Sequence, residues 1–351
     1  MSANRNRSNT ASRANSKSCW LITGGAGYIG AHIVRAFMAE DIQPIVLDDL
    51  SSGHREFVPE SVPFVLGSVV DQALVENVLR EHQVVGIVHL AGFKYAGVSV
   101  QRPLHTYTQN VTGMVSLLAA ARTVGVGKLV FSSSAGVYGT PDVELVTEDT
   151  PTTPESPYGE SKLVGEWILR DLCRSDPGFL AVSLRYFNVV GSAAPEVYDT
   201  SPHNLFPLVI ERLRNGQTPQ INGDDYPTPD GTCVRDYVHV GDLARSHVAA
   251  AKALAEERAL APVYNLGSGV GLSVKQITDA FRRVTEISFN PAIAPRRPGD
   301  PARIVASADL AARDIDWANR YTIDQMVQTA WSAGQTRLQL PVLGQQERRL
   351  N

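Results

Sequence analysis

Short runs of apolar, often β-branched residues alternate with longer amphipathic segments over the first half of the chain. The short runs predict strands at Cys19–Thr23, Pro44–Asp48, Phe64–Leu66, Val84–Leu90, Lys128–Ser132 and Leu180–Tyr186. Apolar residues at helical spacing predict helices at Gly30–Glu40, Gln72–Glu81, Leu104–Val124 and Tyr158–Arg174. Because strands that alternate with helices build parallel sheets, we predict an α/β fold with a doubly wound parallel sheet.

The pattern changes after Asn188, where prolines recur and Gly223–Gly231 consists largely of turn-forming residues. We therefore expect a smaller, interleaved α/β lobe that is rich in loops. Strand-like runs at Arg235–Val240 and Val263–Leu266 indicate that the chain returns to the large domain before it completes the lobe. The predicted organisation is a disordered tail (1–17), a large domain (18–190 with 236–268), the lobe (191–235 with 269–340) and a second tail (341–351).

Composition narrows the classes of function. The 351 residues carry a formal charge of −4 and are 43% apolar, as in ordinary globular proteins. A clustered basic surplus is missing, so we expect no nucleic-acid partner. No apolar run reaches the roughly 18 residues that span a bilayer, and no apolar stretch follows the basic residues of the first 17, so we predict neither a membrane span nor a secretory signal.

The metal-binding residue types are scattered. Cys19, Cys173 and Cys233 are widely spaced and form no C-x-x-C pair, and the eight histidines have no ligand-like spacing. We therefore predict a reduced, cytoplasmic protein without a metal site.

The strongest local motif stands where the first strand turns into the first helix. Gly25, Gly27 and Gly30 satisfy G-x-G-x-x-G, which lets backbone N–H groups and a helix N-terminus approach a pyrophosphate. Asp48 ends the second strand, where a carboxylate can bind the ribose 2′-hydroxyl and repel a 2′-phosphate. The combination predicts a Rossmann-type domain that binds NAD in preference to NADP.

A second group of residues could carry acid/base chemistry. Ser132, Ser133 and Ser134 end a strand, and Tyr158 and Lys162 lie four residues apart on a predicted helix. At that spacing an ammonium can approach a phenol and lower its pKa from about 10, so that the tyrosine acts as a base. Ser134 could bridge the phenol and a substrate hydroxyl. We predict that Ser134, Tyr158 and Lys162 form the catalytic set.

These motifs together resemble the extended short-chain dehydrogenase/reductases, which carry T-G-x-x-G-x-x-G, a strand-end serine or threonine and Y-x-x-x-K. Within that family the chain resembles the UDP-glucose 4-epimerases over roughly residues 18–335. The segments that carry this closer resemblance are His89–Lys94, Asn110–Gly113, Phe131–Ser134, Ser156–Lys162, Leu184–Asn188, Asp225–Thr232, Val234–Val240 and Ala294–Asp300.

The resemblance implies binding roles position by position. It assigns to NAD the residues Gly24, Gly27, Tyr28, Ile29, Gly30, Asp48, Asp49, Ser68, Val69, Leu90, Ala91, Gly92, Lys94, Asn110, Tyr158, Lys162 and Phe187. It assigns to a UDP-sugar substrate the residues Ser134, Asn188, Asn204, Leu205, Arg235, Arg297, Asp300 and Ile304. Guanidinium groups suit a diphosphate by geometry and by fixed charge, which agrees with two of these assignments.

The reaction that the resemblance implies is inversion at C4 of a UDP-hexose, UDP-glucose to UDP-galactose and back, through a transient 4-keto sugar and NADH. Three positions depart from the family pattern: Ser68 replaces an aspartate near adenine, Gly136 replaces a threonine, and Ile304 stands at a position that gates the sugar pocket. An aromatic residue at that gate excludes N-acetyl groups and a small one admits them. Isoleucine is intermediate, so the sugar stays open.

Other functions are weighed against this one. A 4-epimerase of UDP-N-acetylhexosamines, or of UDP-xylose and UDP-arabinose, would use the same C4 chemistry. A sugar-nucleotide 4,6-dehydratase would need an Asp-Glu pair where this chain has Ala135 and Gly136. A non-catalytic NAD-sensing regulator would not need the Tyr158/Lys162 pair.

Related enzymes pair two helices from each subunit, which implies a homodimer here. The apolar residues expected on those helices are Leu117, Leu118, Ala121, Val164, Trp167 and Ile168.

Overall fold

The computed structural model of the protein describes residues 18–297 and 300–336. The tails predicted at 1–17 and 341–351, and residues 337–340 of the predicted lobe, lie outside the described residues. Within the described ranges no helix is long and apolar enough to cross a membrane.

Strands and helices alternate along the described chain. The strands are β1 (Cys19–Thr23), β2 (Gln43–Asp48), β3 (Phe64–Leu66), β4 (Val84–His89), β5 (Lys128–Ser132), β6 (Leu180–Tyr186), β7 (Asn188–Val190), β8 (Gln220–Asn222), β9 (Val234–His239), β10 (Val263–Leu266), β11 (Gly271–Ser273), β12 (Ala292–Ala294) and β13 (Arg303–Ile304). The helices are α1 (Tyr28–Ala39), α2 (Gln72–Glu81), α3 (Ala96–Gln101), α4 (Pro103–Tyr107), α5 (Gly113–Val124), α6 (Pro157–Ser175), α7 (Leu205–Arg214), α8 (Val240–Ala255), α9 (Val274–Thr285), α10 (Asp309–Ile315) and α11 (Ile323–Thr336).

The large sheet has seven strands in the order β10-β6-β5-β4-β1-β2-β3, and all its neighbouring strands are parallel. The chain builds outward from β1 through β2 to β3, and then crosses to β4 on the other side of β1. This reversal places a topological switch point between β1 and β4, where α/β sheets bind their ligands. The predicted α/β fold with a doubly wound parallel sheet is confirmed.

Helices cover both faces of this sheet. On one face, Ile33 of α1 and Val248 of α8 pack in a cluster with the sheet. On the other, Val75 of α2 and Leu117 of α5 belong to a second cluster. Every residue of β1 is buried, because a parallel strand covered on both faces exposes neither set of side chains. Leu117, Leu118 and Ala121, all expected on an outer helix face, are therefore part of the core.

The single helix predicted at Leu104–Val124 is interrupted. Helix α4 ends at Tyr107, a π-helical turn spans Thr108–Thr112, and α5 follows. Asn110 lies in this turn, where it is buried and its side chain bonds both the N–H and the carbonyl of Phe93. Apolar spacing does not reveal such a bulge, which is favoured here by the hydrogen bonds of one asparagine side chain.

A second, smaller sheet lies beyond the large one. Strand β9 pairs with β7, β11 and β13, and β8 pairs with β12 in a separate parallel ribbon. The strand expected at Arg235–Val240 is thus present at Val234–His239, but it belongs to the smaller sheet and not to the large one. Its apolar run indicated a buried strand without indicating which strands it joins. The domain boundaries given above stay a proposal.

Strand β13 brings the smaller sheet against the carboxyl ends of the large one. Ile304 packs in one buried cluster with Val137 and Phe187, which follow β5 and β6. Val146 and Ala306 form an isolated parallel bridge beside this cluster. The smaller sheet therefore meets the large one at the edge where we expect the site.

Candidate active site

The turn between β1 and α1 holds the glycines of the predicted cofactor site. Gly24 has a φ of +73°, and a Cβ at this position would lie 2.8 Å from the backbone nitrogen of Ala91. A Cβ on Gly30 would lie 2.1 Å from the Gly24 carbonyl oxygen. Gly27 is the N-cap of α1, and no described side chain caps this helix. The turn therefore presents free backbone N–H groups and the positive end of a helix dipole to an anion.

Asp48 lies at the end of β2, the strand that neighbours β1. Its Oδ2 accepts a hydrogen bond from the N–H of Ala26 at 2.9 Å, and its Oδ1 accepts one from the N–H of Leu50 at 2.8 Å. Burial raises the pKa of this carboxyl, and the two backbone bonds lower it. The sequence predicted only a contact with a ribose, whereas the carboxylate also holds the glycine turn. Its oxygens retain lone pairs for ribose hydroxyls.

The segment after β4 meets the π-helical turn. Gly92 has a φ of +151°, and a Cβ there would lie 2.6 Å from Oδ1 of Asn110. The Asn110 amide also donates to the Ser161 hydroxyl on α6 at 2.8 Å. Asn110 therefore ties the predicted cofactor segment Leu90–Gly92 to the helix that carries Tyr158 and Lys162.

The other predicted cofactor residues surround this edge in different ways. The Tyr28 hydroxyl donates to the Gly191 carbonyl at 2.6 Å, so this side chain links α1 to the smaller sheet. Lys94 interacts electrostatically with Asp48 and lowers its pKa. Ser68 Oγ accepts a bond from the Val70 N–H at 3.3 Å just after β3.

Four predicted cofactor positions have mainly packing or local roles in the structure. Val69 is buried, Ile29 packs against the core, Phe187 packs with Val137, and the exposed Asp49 accepts a bond from the Ser51 N–H.

Together these residues fit NAD. At Gly24, Gly30 and Gly92 the backbone lies too close to neighbouring protein atoms to admit a Cβ, so glycine keeps this part of the edge compact. The uncapped start of α1 suits the pyrophosphate, and Asp48 suits the ribose hydroxyls.

The predicted catalytic residues converge at the end of β5. Ser134 follows this strand, and its Oγ accepts a hydrogen bond from the Gly136 N–H at 3.1 Å. Helix α6 starts beside it, capped by the Ser156 hydroxyl, which accepts from the Gly159 N–H at 3.2 Å. Lys162 Nζ lies 5.9 Å from the centre of the Tyr158 ring. The strand end and the first turns of the helix thus place hydroxyl, phenol and ammonium in one site.

The electrostatics of this site differ from the simplest expectation. Burial raises the pKa of Tyr158, and a hydrogen bond with Ser134 opposes that rise. Lys162 was expected to lower the phenol pKa, but its ammonium donates to the Ser132 carbonyl at 2.8 Å. Burial lowers the pKa of Lys162 to about 8, against the charge of Glu166, which raises it. In this structure burial of the phenol therefore outweighs its hydrogen bond with Ser134 in setting the Tyr158 pKa.

Three predicted substrate residues, Arg235, Asp300 and Ile304, meet where β9 and β13 pair. Ile304 is opposite Arg235 in the register and is 9% exposed. Arg235 Nη1 donates to the carbonyls of Val234 and Pro301. Its Nη2 lies 3.3 Å from Asp300 Oδ1 but is buried and makes no hydrogen bond to any described residue. A buried guanidinium nitrogen without an acceptor fits an anionic or carbonyl ligand at this point.

Apart from Ser134, the remaining predicted substrate residues lie outside this strand pairing. Arg297 Nη1 reaches the His203 carbonyl at 3.5 Å, next to Asn204 and Leu205 at the start of α7. Asn204 donates to Asp199 Oδ2 at 2.7 Å, so its amide is already engaged. Asn188 is exposed at the start of β7.

Sequence reasoning missed Tyr226. This residue is buried, its hydroxyl has no hydrogen-bond partner within the described residues, and the Arg296 guanidinium lies 4.2 Å from its ring centre. The charges of Asp300 and Arg235 both act on the Tyr226 pKa, which burial raises. The motif Asp225–Thr232 indicated that this segment matters, but nothing in the residue pattern singled out the phenol.

The described residues contain no group of His, Cys, Asp or Glu side chains that could hold a metal ion.

Comparison with known proteins places this site in a family. The model of the NAD dependent epimerase/dehydratase family matches residues 20–267. A UDP-glucose 4-epimerase of Azospirillum brasilense is 40% identical over 317 residues, covering 89% of this chain and 90% of that protein.

Two solved structures share the whole architecture. A UDP-glucose-4-epimerase from Stenotrophomonas maltophila, with bound NAD and formylated UDP-arabinopyranose, is 35% identical, with a TM-score of 0.88 over 92% of this chain and 99% of that one. The UDP-Glc/GlcNAc 4-epimerase of Campylobacter jejuni is 34% identical, with a TM-score of 0.80 over 91% and 99%. The chain belongs to the NAD dependent epimerase/dehydratase family and, within it, to the NAD-dependent UDP-sugar 4-epimerases.

Proposed function

We propose that this protein interconverts UDP-glucose and UDP-galactose by inverting C4 of the sugar. The observation that carries the proposal is the convergence of Ser134, Tyr158 and Lys162 after the end of β5, where Asn110 links α6 to the segment that follows β4. The identity to UDP-glucose 4-epimerases supports the same reaction.

The nucleotide half of the substrate is the anchor. Arg235 is fixed by two backbone carbonyls, and its Nη2 is left without a hydrogen bond, so this nitrogen can donate to a diphosphate oxygen. Arg297, which reaches the His203 carbonyl, adds a second guanidinium. Two fixed positive charges favour a diphosphate and hold it while the sugar reacts.

Tyr158 is the acid/base group of this proposal. Its phenolate removes the O4 proton of the sugar as the C4–H bond breaks, and O4 becomes a carbonyl. When bound, NAD supplies the acceptor and later the donor of the hydride, together with a positive charge beside the phenol. Tyr158 returns the proton after the 4-keto sugar has turned its opposite face toward the cofactor, so the net redox change is zero.

Ser134 and Lys162 support that proton transfer. The Ser134 hydroxyl bonds the phenol and lowers its pKa, and it lies where it can also bond the sugar O4. Lys162 carries a pKa of about 8, so it is largely an ammonium at neutral pH, and its positive charge favours the Tyr158 phenolate.

The pocket wall near the sugar sets the specificity. Ile304 is buried at the end of β13, and a Cβ on Gly136 would lie 3.6 Å from the Tyr158 ring. An isoleucine side chain restricts this space more than a small residue would. We therefore propose UDP-hexoses as the preferred substrates over their 2-N-acetyl derivatives.

We expect kcat/KM to be higher for UDP-galactose than for UDP-N-acetylgalactosamine when both are measured with the same enzyme preparation. Replacing Ile304 by alanine removes three carbons from the pocket wall and should narrow that gap by about tenfold, within the 1–3 kcal/mol that such groups contribute to specificity. Leu145→Ala, an exposed aliphatic residue outside the proposed pocket, is the control. An unchanged ratio in Ile304→Ala contradicts the assignment of the gate.

A second candidate substrate class has its own support. The Campylobacter jejuni relative is a UDP-Glc/GlcNAc 4-epimerase, and the Stenotrophomonas maltophila structure contains a formylated UDP-arabinopyranose. Including UDP-xylose in the same assay decides among hexose, N-acetylhexosamine and pentose.

We also propose a homodimer formed through α5 and α6. The outward residues Val115 and Trp167 are 51% and 47% exposed, and Leu104 on the neighbouring α4 is 82% exposed.

We predict a solution mass by light scattering of twice the 38.0 kDa of one chain. Trp167→Glu should shift it toward the monomer, because a buried unpaired charge opposes association. The control Ile293→Glu, at an exposed residue of β12, should leave the dimer mass unchanged. A monomeric mass for the wild-type protein would contradict the proposed dimer.

A further inference from the structure

A buried ion pair joins α6 to β6 directly behind the proposed catalytic residues. Arg185 donates from Nε to Oε1 of Glu166 at 2.9 Å and from Nη2 to Oε2 at 2.6 Å. Both side chains are at most 6% exposed. The third contact of Arg185 is its Nη1, which donates to the Tyr138 hydroxyl at 2.7 Å. Such a two-pronged pair fixes the relative position of helix and strand.

The Glu166–Arg185 pair is linked to residues Ser132–Ser134 at the end of β5 through the Ser133 hydroxyl. Ser133 donates from Oγ to Glu166 Oε1 at 2.5 Å. Ser133 stands between Ser132, whose carbonyl accepts from Lys162 Nζ, and Ser134. The side chain of Glu166 therefore holds the short segment that positions both the ammonium and the serine hydroxyl.

Glu166 also supplies the charge that opposes burial of the lysine. It lies one helical turn after Lys162, and its charge raises the Lys162 pKa, which burial lowers to about 8. Within the described part of the chain, the other titratable groups around the ammonium carry no compensating negative charge. His89 of β4 has a pKa lowered to about 3, so it is neutral, and burial raises the pKa values of Tyr158 and Tyr186. Arg185, on the far side of Glu166, is directed to that carboxylate and to Tyr138.

We propose that Glu166, clamped by Arg185, is a positioning residue that fixes Ser132–Ser134 through Ser133 and keeps Lys162 in its ammonium form. This inference rests on the proposed function only for its kinetic readout. A buried ion pair need not add stability, and its placement against this strand end gives it a role beyond packing.

The sign of the expected pH effect follows from the charges. The ammonium form of Lys162 is present below its pKa and is lost as the pH rises through that value. Removing the Glu166 charge lowers the pKa further, so activity should begin to fall at a lower pH. We expect the alkaline limb of kcat in Glu166→Gln to move down by about one pH unit, a tenfold change in the ammonium fraction.

Three variants separate charge, link and folding. Glu166→Gln removes the charge but leaves Arg185 unpaired in the interior, so Glu166→Met with Arg185→Met is made in parallel to remove both charges. Ser133→Ala leaves the pair intact and breaks only the link to the strand end. The control is Asp171→Asn, an exposed acid on the same helix. Full-length protein is used throughout, and kcat and KM for UDP-galactose are measured across the pH range.

The proposal predicts that the alkaline limb of kcat lies at a lower pH in both Glu166 variants. In Ser133→Ala it predicts a lower kcat with the alkaline limb at the wild-type pH. It predicts a wild-type profile in Asp171→Asn. If the limb stays at the wild-type pH in folded Glu166 variants, Glu166 does not sustain the ammonium. If Ser133→Ala keeps the full kcat, the strand end does not depend on the pair.

A spectroscopic titration keeps this test apart from the proposed function. The chain has only six lysines, so ¹³C labelling at lysine Cε gives few NMR signals, and Lys162→Met identifies the one that belongs to Lys162. The Lys162 pKa should be lower in the Glu166→Met/Arg185→Met variant than in wild type. A wild-type enzyme inactive on UDP-galactose would refute the proposed function, whereas an unchanged Lys162 pKa would overturn the present inference.

Discussion

Replacing Tyr158 by phenylalanine is expected to lower kcat about a thousandfold. The phenol belongs to a half-buried residue beside Ser134 and is the group of the proposed site placed to exchange a proton with O4 of the sugar. Positioned acid/base groups contribute about 10²–10⁴-fold, so this loss corresponds to about 4 kcal/mol of transition-state stabilisation. The substrate is anchored through its nucleotide, so KM should change by less than about threefold. Initial rates with UDP-galactose give both constants.

Tyr107→Phe is the matched control for this variant. It removes the Tyr107 hydroxyl, which donates to Glu160 on α6, the helix that also carries Tyr158. Tyr107 itself lies on α4, outside the proposed site. Its kcat should stay close to that of wild type. If Tyr158→Phe kept more than about a tenth of wild-type kcat, Tyr158 would not be the acid/base group, because the loss would be smaller than such groups contribute.

Replacing Gly30 by alanine should remove the cofactor from the purified protein. The new Cβ would lie 2.1 Å from the Gly24 carbonyl oxygen and 2.8 Å from the Gly25 Cα, both backbone atoms that cannot rotate away. The turn must therefore shift, at a cost of about 1–3 kcal/mol, which lowers NAD affinity by about 5- to 150-fold. The NAD released on denaturation, per mole of protein, measures the effect.

Gly178→Ala tests whether any added methyl group has this effect. Its Cβ would lie 3.4 Å from the Asp176 Oδ1, an ordinary contact at the start of β6 far along the chain from the glycine turn. This variant should purify with as much NAD as wild type. A Gly30→Ala protein that also keeps its full NAD content would show that the close approach in the turn is not needed for binding.

Much of the fold could be predicted because local patterns determine it. The run Cys19–Thr23 is apolar apart from Thr23, which fits a strand buried on both faces, and the structure buries all five of its residues. The interruption at Thr108–Thr112 could not be predicted, because it depends on tertiary hydrogen bonds of Asn110. The sheet that Val234–His239 joins could likewise not be predicted, since strand pairing is decided by contacts distant in sequence.

The residues of the candidate site were predictable by motif, but their interactions were not. Spacing placed Tyr158 and Lys162 on one helix face, yet the direction of the ammonium toward the Ser132 carbonyl depends on the path of β5. Tyr226 and Glu166 escaped notice because a tyrosine in a turn and a glutamate on a helix are usual surface residues. Their burial is a property of the packed structure.

The central claim, a UDP-sugar 4-epimerase that keeps its own NAD, is tested most directly by one incubation. Purified wild-type protein is mixed with UDP-galactose without added cofactor, and the two epimers are resolved over time. The account predicts that UDP-glucose forms until a constant ratio is reached, and that the same ratio is reached from UDP-glucose. Absence of either product, even after NAD is supplied, would contradict it.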